Sequence, residues 1–165
     1  MKNNFFARFR EGYLKFASVF SEIMLWFSVA IFAVMLFAVS YGVLGRYLPF
    51  VKNPRWTMEL STLCLVWLCF ITAGYAIGTG SHVRMTVLNK VFGDRISSYL
   101  HYFAHVVLVL VNIFFVVFGI NLSIMMAGAV MPATGWPVWL TYSALAVGGV
   151  YGTIMAFARI IKGDL

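Results

Sequence analysis

Few side chains in this sequence are equipped for chemistry. Glu59 is a carboxylate placed just inside an apolar run, four residues after Arg55. A membrane carboxylate of that kind can bind protons and cations in turn. His101 and His105 are one helical turn apart, and His82 stands earlier in a polar stretch. Imidazoles invite haem ligation, but two axial ligands have to approach one haem from opposite sides, usually from different helices. His101 and His105 share a helix and a face, which argues against that use. Cys64 and Cys69 are five apart and match neither a CxxC redox pair nor a zinc half-site. On a helix they point about 140° apart and cannot bridge each other, so they read as small hydrophobes. Gly78-Thr79-Gly80 opens no phosphate loop, because no lysine follows where one is needed. Serine-nucleophile and metal-cluster patterns do not occur. No cofactor and no enzymatic activity are expected.

The elements that carry these residues are set by composition. The chain has 165 residues, of which 62% are hydrophobic and only 10% charged, with a mean hydropathy of +0.92. Soluble domains are roughly half apolar, and so little charge would not cover a water-facing surface. An all-α integral membrane protein is expected, in one membrane domain. The net charge of +7 does not imply nucleic acid, since the basic residues fall between apolar runs, where phospholipid headgroups lie. No cleavable signal peptide is expected: Lys2, Arg8, Arg10, Glu11 and Lys15 are spread through the first residues, leaving no short apolar core.

Four apolar runs are long enough to cross a bilayer, which takes roughly 20 residues. The expected spans are 22–45, 57–78, 99–122 and 137–158. Before them, residues 3–20 read as an amphipathic helix lying in the membrane interface. Phe5, Phe6, Phe9, Tyr13, Phe16 and Phe20 fall within an arc of roughly 100°, with Arg8, Glu11, Lys15 and Ser18 opposite. Phe5, Phe9, Tyr13, Phe16 and Phe20 are the expected interface anchors. The first connector holds Pro49 and Pro54 and reads as extended or turning. Residues 79–98 form a polar elbow. The connector 123–136 carries no charge and is expected to dip into the interface or pack on a partner. Gly74 and Gly78 make one GxxxG spacing, and Ala144, Gly148, Gly152 and Ala156 make a small-residue stripe over three turns, the spacing of a helix-packing face.

Charge asymmetry orients the chain. With the amino terminus inside, nine basic residues collect on the inner side and three, Arg46, Lys52 and Arg55, on the outer. Both termini are therefore expected in the cytoplasm. Glu59 lies within about one turn of the outer boundary, where an ion pair with Arg55 or with a partner helix is expected in preference to a coupling role. No inverted repeat or pair of broken helices marks a transport site of its own, which points to a subunit serving something larger.

Trp56, Glu59, Trp67 and Gly74, a polar elbow leading to His82-Val83 and Leu88, and the Trp136-Pro137-Val138-Trp139 lead into the last span together form a diffuse pattern. It resembles the small membrane subunit of tripartite ATP-independent periplasmic (TRAP) transporters, the DctQ-like small permease, over nearly the whole chain. The chain departs from that pattern at Gly78-Thr79, where an arginine is common, and at Thr86, where an acidic residue is.

The resemblance implies a division of labour. A soluble periplasmic protein captures an organic anion, and a large multi-span subunit moves it inward with sodium ions by an elevator motion. The small subunit holds the stationary scaffold of the large one. Trp56, Glu59, Trp67, Gly74, His82, Val83, Gly148 and Gly152 are then expected at the large-subunit interface, and Arg46, Lys52 and Arg55 at the binding protein. Phospholipid is the remaining partner. Two other readings stay open at this point: a haem-bearing membrane anchor of a respiratory enzyme, and a small four-helix cation exporter.

Overall fold

The computed structural model describes residues 2–47, 55–79 and 86–162, with side chains placed over 10–47, 55–79 and 103–160. Lys52, His82 and Val83 lie outside the described residues, as do the side chains of Phe5, Phe9 and His101. The chain forms four helices: α1 (Lys2–Tyr47), α2 (Trp56–Thr79), α3 (Thr86–Met125) and α4 (Trp139–Lys162). Each contains a segment long and apolar enough to cross a membrane, so this is an all-α, multi-pass membrane protein.

The amino-terminal segment is not a separate arm. Residues 2–21 are the first part of α1, which runs unbroken to Tyr47. No proline interrupts the stretch, and Gly12 alone does not stop a helix that is otherwise well supplied with helix formers. The expected elbow is likewise helical from Thr86 onward and continues directly into the third span. At 1.5 Å per residue α1 is about 69 Å long and α3 about 60 Å, against roughly 40–45 Å for a bilayer with its headgroups. Because two crossings, those of α1 and α2, separate the start of α3 from the start of α1, both excess lengths lie on the same side, the side of the amino terminus.

The helices form a curved row in the order α1, α2, α4, α3. Helix α4 packs on both α2 and α3, α2 also packs on α1, and α1 touches α4 only along part of its length. Among the described residues α1 and α3 do not approach each other. Burial follows this order. In the most apolar windows 28% of the α2 residues and 39% of the α4 residues are buried, against 6% for α1 and 17% for α3. The middle helices therefore make the core, and the outer two expose Phe, Val, Leu and Ile around most of their circumference.

In lipid the association of such helices rests on close packing, since tails are as apolar as side chains. The small-residue stripe supplies it: Ala144, Gly148, Gly152 and Ala156 are all buried. A Cβ on Gly148 would lie 2.5 Å from Cβ of Phe70 on α2. One on Gly152 would lie 2.0 Å from Oδ1 of Asn112 on α3. Opposite, a Cβ on Gly74 would meet the Tyr151 ring at 2.3 Å, and one on Gly78 would meet Sδ of Met155 at 2.9 Å.

Candidate functional site

The most structured polar site is at the end of the bundle away from the amino terminus, where the α3–α4 connector folds back over α2. Local chemistry shapes the connector first. The Met131 N–H donates to the Trp136 carbonyl at 2.7 Å, and the Val138 N–H to the Ala129 carbonyl at 2.9 Å, closing a small hairpin with a bridge between Val130 and Pro137. Gly135 turns it at φ 69°, a left-handed conformation that glycine adopts without steric cost. The Gly135 N–H donates to the Met131 carbonyl at 2.9 Å.

This turn presents the N–H groups of Ala133 and Thr134 in one direction, and Glu59 meets them. Ala133 N–H donates to Oε1 at 2.9 Å, Thr134 N–H to Oε2 at 2.8 Å, and the Thr134 hydroxyl to Oε2 at 2.8 Å. Both carboxylate oxygens are thus engaged by one loop in charge-assisted bonds. The expected Arg55–Glu59 ion pair is not formed. The convergent backbone donors satisfy the carboxylate from within the chain, and Arg55 stands exposed at the start of α2. The connector is thus clasped onto α2.

Nearby, the Trp67 Nε1–H donates to the Leu140 carbonyl at 3.1 Å, and its ring meets Phe27 edge-on at 6.1 Å. Trp56 stacks on Tyr41 at 6.0 Å. Arg46 reaches Sδ of Met58 at 3.8 Å from Nη2. Around the clasp the connector exposes Val130 and Trp136.

The sequence-based interface set therefore divides. Gly74, Gly148 and Gly152 pack inside the chain, against Tyr151, Phe70 and Asn112. Trp67 and Glu59 are likewise committed to contacts within the chain. Of the described members Trp56 is exposed, and Glu59 and Trp67 are half-buried. The aromatic lead divides too. Tyr13 donates its hydroxyl to the Ile154 carbonyl at 3.0 Å, and Phe20 packs edge-on against Tyr151 at 5.4 Å. These two face α4 rather than the headgroups, because the arm continues α1 and α4 extends alongside it. Phe16 stays exposed and stacks on Phe20 at 5.9 Å.

Three participants were not singled out from sequence. Thr134 completes the clasp. Tyr151, 1% exposed, fills the notch at Gly74 and donates to Oγ of Ser21 at 3.2 Å. Asn112, 7% exposed, turns its amide nitrogen back to the Leu108 carbonyl at 2.7 Å and leaves its oxygen against Gly152. The only signal for Asn112 was a polar residue in an apolar run, which says that a partner exists without saying which.

At the amino-terminal end of the bundle α1, α2 and α4 diverge around a cavity of about 870 Å³, with Glu22 and Arg159 in its lining. Among the described residues no three His, Cys, Asp or Glu side chains gather as a metal-holding group. His105 is buried on α3. Cys64 is buried and Cys69 exposed, and both thiols are free.

This geometry belongs to a membrane component whose polar groups fasten its own helices. The family model for the DctQ component of tripartite ATP-independent periplasmic transporters matches residues 35–164, well over half of the chain. A Haemophilus influenzae protein described as a candidate TRAP transporter small permease protein is 28% identical over 139 residues, covering 81% of this chain and 83% of its own length. The matched region takes in the clasped Glu59, the glycine notches at Gly74, Gly78, Gly148 and Gly152, and the Trp136-Pro137-Val138-Trp139 corner. The chain belongs to the DctQ family, the small membrane component of TRAP transporters.

Proposed function

We propose that this subunit is a non-catalytic brace for the stationary scaffold of a large, elevator-type TRAP membrane subunit. That subunit would move an organic anion inward with sodium ions after capture by a soluble periplasmic protein. The observation that carries the reading is the distribution of burial. The two middle helices spend their small residues and polar groups on contacts inside the chain, while α1 and α3 turn long, continuous apolar faces outward. A brace needs such a stiff middle, and it needs broad outer faces on which a larger membrane protein can lie.

The charge bias, nine basic residues against three, supports an orientation in the cytoplasmic membrane with both termini inside. The outer-side Arg46 and Arg55, both exposed, together with Lys52 form a basic rim suited to an acidic patch on the binding protein. Trp56, His82 and Val83 remain proposed contacts of the large subunit, and Phe5, Phe9 and Phe16 proposed contacts of the headgroup layer.

Co-purification in mild detergent tests this. A much larger multi-span protein is expected to come down with the chain. Phe37→Arg and Phe114→Arg, at positions 68% and 53% exposed on α1 and α3, are expected to cut complex yield for whichever helix faces the large subunit, leaving the isolated chain folded. A chain that purifies alone as a stable, ion-conducting unit would overturn the proposal.

A further inference from the structure

The cavity at the amino-terminal end of the bundle carries an inference that does not depend on the transporter reading. We propose that the cleft between α1, α2 and α4 binds one zwitterionic glycerophospholipid with a primary amine headgroup, its phosphate at Arg159 and its ammonium at Glu22. The cavity, about 870 Å³, falls within the roughly 300–1,000 Å³ typical of sites for discrete small molecules. Its lining is divided by chemistry. Ala17, Leu25 and Met155 form apolar walls, and Glu22 and Arg159 bring opposite charges to the same space.

Depth fits a lipid headgroup. Arg159 is in the last turn of the fourth span, Trp139–Ile160. On α1, Glu22 precedes Arg46 by a rise of about 36 Å, slightly more than the roughly 30 Å hydrocarbon core. Both charges therefore stand at the inner headgroup boundary, with apolar wall beside them for acyl chains.

Glu22 sets the headgroup. It is exposed to the cavity at the headgroup boundary, where a carboxylate favours a cationic group that can donate to it. A hydrated metal cation would meet the charge but leave the apolar walls unfilled. An anionic lipid would add a second negative charge beside the first. A choline headgroup carries positive charge but no N–H to donate, whereas a primary ammonium offers three donors. The guanidinium of Arg159 has the planar fork that suits phosphate oxygens.

The test is native mass spectrometry of the full chain reconstituted with equal phosphatidylethanolamine, phosphatidylglycerol and phosphatidylcholine, then extracted in mild detergent. One phosphatidylethanolamine per chain is expected, favoured by about tenfold over the other two, the scale of one charge-assisted contact. Glu22→Gln is expected to remove that preference. Ser18→Phe, at an exposed lining position whose hydroxyl only donates to the Lys15 carbonyl, is expected to block retention without changing helix content or melting temperature. Equal retention of the three lipids would overturn the proposal, as would a preference that survives Glu22→Gln. Displacement by soluble glycerophosphoethanolamine would do the same, because the acyl walls would then contribute nothing. If no lipid is retained and Glu22→Gln instead weakens association with a second membrane protein, the carboxylate belongs to that partner and the lipid site does not exist. Should Glu22→Gln fail to fold, the wild-type selectivity and Ser18→Phe still decide.

Discussion

At the scale of single residues, the roles of Glu59 and the glycines separate cleanly by what each touches. Glu59 accepts three hydrogen bonds from one turn, and a glutamine retains one acceptor oxygen where the carboxylate has two. Glu59→Ala is expected to speed amide exchange at Ala133 and Thr134 by about tenfold or more, and Glu59→Gln by less, the order expected for losing bonds to a charged acceptor. Unchanged exchange in both variants would remove the clasp from the account. For the glycines the contrast is steric. Gly74→Ala puts a methyl 2.3 Å from the ring of Tyr151, which is 1% exposed and held by Phe20 and Ser21. Gly152→Ala puts one 2.0 Å from Asn112, whose amide is tied to Leu108. Each is expected to cost about 1–3 kcal/mol, the usual penalty of overpacking a fixed neighbour, read from unfolding in mixed micelles. Gly12→Ala, with nothing within 4 Å, is expected to stabilise by about 0.5–1 kcal/mol through helix propensity alone.

At the scale of elements, the four spans were legible because length and hydropathy suffice to define a membrane helix, whatever its neighbours. The small-residue stripe of α4 was legible as a packing face for the same reason: spacing by four puts Ala144, Gly148, Gly152 and Ala156 on one side. What it packs against was not. A glycine notch looks the same in sequence whether Phe70 or a foreign helix fills it, and only the fold distinguishes them. The amino-terminal lead was misjudged on different grounds. An aromatic stripe opposite basic residues satisfies an interfacial helix, yet it equally satisfies a helix whose stripe turns toward α4 with Tyr13 and Phe20. The absence of a breaker between Phe20 and Ile23 was the signal for continuity. Continuity is measurable. With Cys64 and Cys69 replaced, spin labels at Glu11 and Ser40 on a straight α1 should lie about 44 Å apart, 29 residues at 1.5 Å each. An arm folded into the interface at an angle to the span would give a clearly shorter distance. The carboxylate of Glu59 sits between these cases: its position near the boundary was plain, but its partners are backbone donors 74 and 75 residues away, and backbone groups leave no trace in residue type.

At the scale of the whole molecule, the orientation proposed from charge can be checked at two inert positions. Gly128 is in the α3–α4 connector and Gly12 near the amino-terminal end of α1, each with open space around its Cα. In intact cells lacking a permeable outer envelope, a membrane-impermeant maleimide should label Gly128→Cys and should reach Gly12→Cys only after permeabilisation, with Cys64 and Cys69 replaced first. The reverse pattern would invert the assignment of the basic rim and with it the binding-protein contact. The row of helices has one further consequence. A wall a single helix deep has two outsides and no interior, so by itself it cannot surround a conduit. In the proposed bracing role, a solute or ion that crosses the bilayer beside this chain travels along a seam whose far bank is supplied by the larger subunit.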